Sequence, residues 1–306
     1  MTSGNKIALS IDVEDWYHTP LITGSPFAKF KNTSEFFEHW KGDYDMITAS
    51  TLKILDMLDK HHITATFFIL SDVVERYKTI VERLKNSAHE IGCHGHDHQI
   101  ALDPNTKEPL MTVQDWTDEV KRSKDLLEDT FQKPVIGYRA PGAYFGKWMI
   151  EGLENLGFKY DSSIAYNSFY NKTDCELNSI PTIPYRINRD DLSANNPNSN
   201  LIELPWSYLT MLNVSFPVAG AFFYRLLGNT YFKFAIDKCL KRGDTMFYLH
   251  PYDLTAEKIP MNNIRSRPFF WINQGKTTER RFEKLLFSYR DSFTTCEEVY
   301  NRSVKL

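Results

Sequence analysis

Cysteine is scarce in this chain, and its spacing carries no motif. Four cysteines occur in 306 residues, at 93, 175, 239 and 296. None forms a CxxC pair, which argues against a disulfide framework and against a thiolate zinc site. They read as reduced residues of the core. A basic surplus is missing too: 36 Lys and Arg stand against 39 Asp and Glu, a formal charge of -3. Nothing is left over to neutralise phosphates, so no nucleic acid is expected as a partner. Long hydrophobic runs are absent. The stretch Phe216-Pro-Val-Ala-Gly-Ala-Phe-Phe223 falls far short of the roughly 18 apolar residues that span a bilayer, so no transmembrane segment is expected and any membrane contact is peripheral. The first six residues lead straight into the apolar run Ile7–Ile11, which leaves no room for a charged leader and a cleavage site. A cytoplasmic location is the expectation.

What is present is a regular alternation. Ile7–Ile11 reads as a strand, Ser50–Lys60 as a helix and Thr64–Leu70 as the next strand; helix Asp72–Lys85, strand Glu90–Cys93 and helix Val113–Phe131 follow. Val135–Tyr138 is then a strand and Phe145–Leu156 a helix, and strands are expected at Lys159–Ile164, Leu201–Leu204 and Thr245–Leu249. Such βα repetition implies a mostly parallel sheet with helices outside it, and at this length closure into a barrel is plausible. One domain over residues 1–306 is expected, with loop insertions near 101–110 and 188–200, where proline, asparagine and other polar residues interrupt the pattern.

Residues at the C-terminal ends of parallel strands converge on one face, where sites are built. Five reactive side chains fall there: Asp12 after Ala8–Ile11, His94 after Ile91–Cys93, Arg139 after Ile136–Tyr138, Asp161 after Phe158–Tyr160 and His250 after Met246–Leu249. His94 and His98 are four apart, so a helical turn at the strand end turns both imidazoles toward one cation. His96 then points elsewhere. A carboxylate from Asp12-Val-Glu14-Asp15 completes a site with positions open to water and substrate. Imidazoles with a carboxylate suit zinc first, and accept cobalt, nickel or iron.

In order and spacing, Ser10-Ile-Asp12, His94-x-x-x-His98, Arg139-Ala-Pro141, Tyr160-Asp161-Ser-Ser163 and Leu249-His250-Pro251 resemble the five motifs of the polysaccharide deacetylases (NodB-like, carbohydrate esterase family 4). The resemblance runs from about residue 7 to 254, and is closest to the branch associated with exopolysaccharide biosynthesis. It implies a distorted (β/α) barrel and a metal-dependent hydrolase that removes N-acetyl groups from a saccharide, either a polysaccharide or a lipid-linked precursor. By the same resemblance Asp12 is the general base, Arg139 orients it, His250 is the general acid, Asp161 tunes that histidine, and a carboxylate with His94 and His98 holds the divalent metal, zinc foremost. A backbone N–H just after Pro141, at Gly142 or Ala143, would meet the oxyanion.

This chain departs from the family's adjacent Asp-Asp, because Val13 follows Asp12. The metal carboxylate must then be Glu14 or Asp15, with Asp15 slightly favoured and Asp12 itself a third candidate. Trp16 and Trp206 are the aromatics best placed to stack on sugar rings. Two competing readings stand: hydrolysis of another C–N bond, in a small amide or ureide, and a non-catalytic carbohydrate-binding barrel. Oligomeric state is not legible here.

Overall fold

The computed structural model describes residues 4–177, 180–257, 259–260 and 271–305. The first three residues, on which the expectation about a leader partly rests, lie outside them. In chain order the main elements are β1 (Ile7–Val13), α1 (Thr33–His39), α2 (Thr48–His61), β2 (Thr66–Ile69), α3 (Ser71–Arg76), α4 (Lys78–Lys85), β3 (Glu90–Cys93), α5 (Val113–Phe131), β4 (Gly137–Tyr138), α6 (Met149–Asn155) and β5 (Tyr160–Asp161). They are followed by β6 (Tyr185–Arg186), β7 (Ile202–Glu203), β8 (Tyr208–Met211), β9 (Val214–Pro217), α7 (Ala221–Leu240), β10 (Thr245–Leu249) and β11 (Phe293–Thr294), with helices at Lys276–Tyr289 and Cys296–Ser303.

The helices follow their local signals. In α5, Thr112 accepts the Asp115 N–H as the N-cap, and Trp116, Val120, Ser123, Leu127 and Phe131 form a buried stripe at three- and four-residue spacing. Gln132, at φ 53°, ends it in the left-handed region. The single helix expected over Asp72–Lys85 is two. Tyr77 breaks it at φ -115°, ψ 61°, and its hydroxyl donates to Asp15 at 2.8 Å.

The main sheet runs β10-β1-β2-β3-β4-β5-β7-β6, with β11 also beside β1. Every pairing is parallel except β6 with β7. The sheet curls, and its open side is crossed by single backbone bonds: Val218 N–H to Ser207 C=O at 2.7 Å and Tyr248 N–H to Ala219 C=O at 2.6 Å. This is the distorted (β/α) barrel that the resemblance implies and that the alternation allows.

Period-two alternation sorts β1 cleanly. Ile7, Leu9, Ile11 and Val13 join the large core beneath the outer helices, whereas Ala8 belongs to the interior cluster with Phe68, Tyr160, Trp206 and Met246. Ser10 and Asp12 share that inner face and both meet Arg139. Space inside is tight. A Cβ on Gly92 would come within 2.5 Å of the Phe68 ring, so only glycine lets that ring fill the barrel. Cys296 and Val299 plug the interior from the N-terminal ends of the strands, and the Cys296 N–H donates to Thr66 Oγ1 at 2.7 Å. The opposite, C-terminal end stays open and carries the site.

Candidate active site

At the end of β1, Asp12 and Glu14 line the pocket, two residues apart, and Asp15 does not. The expectation that Asp15 supplies the metal carboxylate is therefore corrected: alternation of side chains along extended backbone sends it the other way. Asp15 Oδ1 caps the short turn Trp16–His18 by accepting the Trp16 N–H at 2.6 Å, and Oδ2 accepts the Met46 N–H at 2.9 Å and the Tyr77 hydroxyl at 2.8 Å. Burial pushes its carboxyl up to about 7 despite those donors.

Glu14 takes the place instead. Its carboxylate, with His94 and His98, forms a buried trio whose ligand atoms all lie within 4.8 Å of one another. His94 Nδ1 sits 2.8 Å from the Arg139 carbonyl oxygen. A carbonyl only accepts, so Nδ1 carries the proton and Nε2 keeps its lone pair for the trio. Burial lowers the His94 imidazole to about 4, which keeps it neutral. His98 is delivered by a turn that His98 itself enters at φ 63°. Its Nε2 accepts the Gly142 N–H at 3.1 Å and lies 2.6 Å from Glu14 Oε2. No hydrogen-bond donor reaches that Glu14 oxygen. Two buried acceptors this close call for positive charge beside both, and the donor set of one carboxylate and two imidazoles fits a divalent cation such as zinc. Burial alone would raise the Glu14 carboxyl; His98, His250 and His94 outweigh it and hold it below the usual carboxylate range.

Arg139 lies wholly inside the barrel with its charge on Asp12: Nη1 donates to Asp12 Oδ1 at 2.5 Å and to Ser10 Oγ at 2.9 Å. The rest of the guanidinium is held by Ser162, whose carbonyl accepts Nε and whose hydroxyl accepts Nη2, both at 2.9 Å. Trp206 Nε1 donates to the same carbonyl at 2.9 Å, and its ring lies on the pocket wall beside Tyr248, centroids 4.3 Å apart. The motif around Asp161 thus acts on Arg139 through Ser162. Asp161 turns back to accept the Ser163 N–H and hydroxyl and neighbours Glu203.

The expected pairing of Asp161 with His250 is also corrected. The partner is Asp253, three residues on, because the turn after Pro251 brings it back under the ring: Asp253 Oδ2 is 3.3 Å from His250 Nδ1 and accepts the His250 N–H at 2.9 Å. Asp253 Oδ1 in turn faces Arg225 Nε at 2.7 Å. His250 Nε2 lies 3.2 Å from Glu14 Oε1 and 3.9 Å from Asp12 Oδ2, with the ring stacked on Tyr252. Burial lowers the His250 imidazole, but Glu14, Asp253 and Asp12 outweigh it, so it is raised overall.

Of the remaining expected residues, Gly142 lines the pocket. Pro141 is buried and does not line it; it packs toward the turn at Gly95. Trp16 is a correction: it is 1% exposed, set among Tyr17, Phe36 and Trp40, with Nε1 on the Tyr44 carbonyl at 2.9 Å. An aromatic two residues beyond Glu14 lies under α1, a helix that the periodicity did not reveal. His96 points away as expected, onto Ser71 Oγ at 2.7 Å. Sequence reasoning missed Asp253, Arg225, Ser162 and Lys172. An aspartate three residues after a histidine at a strand end was the legible signal for the first; Arg225 lies on α7 and is brought in only by the fold. The cavity holds about 460 Å³, within the range of small-ligand sites.

Residues 42–160 match the family model described as polysaccharide deacetylase. That stretch, under half of the chain, is similar to the polysaccharide deacetylase family. Asp12 and Glu14 precede the matched stretch. Residues 176–301, with Trp206, Arg225, His250 and Asp253, match a second model described as a domain of unknown function, DUF3473. A peptidoglycan deacetylase of Helicobacter pylori is 30% identical over 117 residues, 38% of this chain and 38% of that one. The peptidoglycan-N-acetylmuramic acid deacetylase PdaA of Bacillus subtilis is 27% identical over 128 residues, 42% of this chain and 46% of that one. The chain thus spans less than half the length of these curated relatives. Among solved structures, one from Mycobacterium smegmatis provisionally assigned as a polysaccharide deacetylase superposes with a TM-score of 0.60 at 16% identity, covering 100% of this chain and 93% of that one. The Puue allantoinase does so at 0.53 and 14%, covering 98% and 91%. At these identities the likeness is one of fold. No helix among the described residues is long and apolar enough to cross a membrane.

Proposed function

We propose that this protein is a metal-dependent N-deacetylase of a saccharide. The observation that carries the reading is the convergence, in one pocket, of the Glu14–His94–His98 trio, the Asp12–Arg139 pair and His250. The family model matched by residues 42–160 and the names of the curated relatives point to the same class of reaction. Zinc, held by Glu14, His94 and His98, supplies Lewis acidity toward the acetamide carbonyl and toward water when bound.

The chain's own groups do the rest. Asp12, steered by Arg139, is the base that takes the proton from the attacking water. The Gly142 N–H donates to His98 Nε2; with that nitrogen on zinc the donor would be released to stabilise charge on the carbonyl oxygen. His250, with Asp253 behind Nδ1, carries a proton on Nε2 to the leaving amine. Trp206 and Tyr248 wall the sugar site. The two segments that match separate family models work as one unit in this reading, since His94, His98 and Arg139 come from the first and Trp206 and His250 from the second, with Asp12 and Glu14 from residues before both.

The test is acetate release from a panel of N-acetylated oligosaccharides by the zinc-loaded protein, with His98→Ala alongside. Acetate from the wild type and none from the variant supports the reading. No acetate from any member, with zinc bound, overturns it; a ureide or small amide cleaved instead assigns another C–N bond.

A further inference from the structure

The cations on the pocket wall are not all matched by acids. Arg139 pairs with Asp12 and Arg225 with Asp253. Lys172 lines the same pocket and makes no ion pair among the described residues. Its Nζ donates to the Gly142 carbonyl at 2.8 Å and stands 5.0 Å from the Tyr170 ring centroid and 5.3 Å from that of Tyr144. An ammonium has three donors, and Gly142 takes one.

The backbone that carries it is fixed as well. The Lys172 carbonyl accepts the Phe145 N–H at 3.1 Å, and Thr173 is bridged to Phe145. The group is therefore held in place before any ligand arrives, which lowers the entropic cost of binding to it. A second lysine adds to the field: Lys107, from the loop near 101–110, lies 5.7 Å from the same Tyr144 ring, with Nζ on the Pro104 carbonyl. The acid beside Lys107, Asp103, spends Oδ1 on the N–H groups of Asn105 and Thr106. Burial lowers the Lys172 ammonium to about 8, against the pull of Glu14.

From this geometry we propose that Lys172 reads an anionic group on the saccharide, a carboxylate or a phosphate. The inference rests on the deacetylase reading and adds the substrate class to it. Gly142 sets the distance: its N–H faces His98 and its carbonyl faces Lys172. The anion then lies about one peptide unit from the reacting acetamide, on the same sugar or its immediate neighbour. A sugar hydroxyl would satisfy the free donors but leave the charge of this half-buried lysine uncompensated in a partly enclosed, aromatic-walled site.

Calorimetric titration of the zinc-loaded protein with matched N-acetylated disaccharides, one neutral, one bearing a carboxylate and one a phosphate, tests this. The wild type is expected to bind at least one anionic ligand about tenfold or more tightly than the neutral one. In Lys172→Met that preference disappears, and in Lys172→Arg it persists. The stronger of the two anionic ligands identifies the source of the charge. Equal affinities in the wild type, no binding of either anionic ligand, or a preference that survives Lys172→Met overturns the proposal; so does an equal loss for neutral and anionic ligands, which marks a role confined to holding Gly142. Acetate is followed in the same samples. Anion preference without acetate release discards the deacetylase reading and leaves the subsite standing, and acetate release without preference does the reverse.

Discussion

Glu14 and Asp15 are adjacent carboxylates with opposite roles, and one turn of the backbone decides which is which. Glu14→Gln is expected to weaken zinc binding by about 100-fold or more, since it removes one of three ligands, with little change in the unfolding midpoint. Asp15→Ala is expected to leave zinc affinity nearly intact and to cost about 1–3 kcal/mol of stability, from the lost cap and the orphaned Tyr77 and Met46 donors. Calorimetric zinc titration and urea unfolding of both variants separate the two; equal zinc loss in both removes Glu14 from its proposed place. Asp253 makes a second residue-scale case. Its charge raises the His250 imidazole, so Asp253→Asn should lower it and shift the basic limb of the kcat/KM profile to lower pH. Asp161→Asn, which leaves His250 untouched, should not move that limb.

At the scale of elements, the turn carrying His98 is held from behind by another loop. Gly24, at φ +73°, passes so close that a Cβ would stand 2.6 Å from the His98 carbonyl oxygen, and the Gly24 carbonyl accepts the Ile100 N–H at 2.9 Å. Gly24→Ala combines left-handed strain with displacement of the turn, for about 1–3 kcal/mol. Lowered stability together with weakened zinc affinity is the expected result; unfolding and zinc titration check it, and a stability loss with unchanged zinc affinity would show that the turn holds its shape unaided. Elements also explain what was hard to read. The long amphipathic α5 was legible because nineteen residues keep one buried stripe. The two-residue strands β4, β5, β6 and β7 have too little length for any period to show. The β8–β9 hairpin and the early helix α1 sit where aromatic residues obscure the pattern.

For the molecule as a whole, the barrel interior holds more acid than its charge balance requires. Glu90, 7% exposed, accepts from Thr66, Tyr160 and the Glu297 N–H, yet burial pushes its carboxyl from 4.5 up to about 7. Between those values the unfolded chain has released a proton that the fold retains. Stability therefore falls as pH rises through that window and is flat above it, by up to about 3 kcal/mol from this one group. Asp15, Glu119 and Asp161 are raised as well and steepen the same fall. Glu90→Gln, whatever its constant offset, should flatten the curve of unfolding free energy between about pH 4.5 and 7. A difference between wild type and variant that does not change with pH would show that Glu90 is ionised throughout.

By itself the sequence determined the alternation of strands and helices, the convergence of Asp12, His94, Arg139 and His250 at strand ends, and the His94–His98 pair. Each of these depends on local periodicity or on spacing within one turn, and those survive in one dimension. Tertiary structure decided the choice between Glu14 and Asp15, the partnership of His250 with Asp253 and Arg225, the burial of Trp16 beneath α1, and the exposure of Lys172 to the pocket. These are contests between neighbours for one place, settled by where β1 ends and by what α1, α7 and the loop at Gly142 bring against it, and no spacing along the chain records which neighbour arrives.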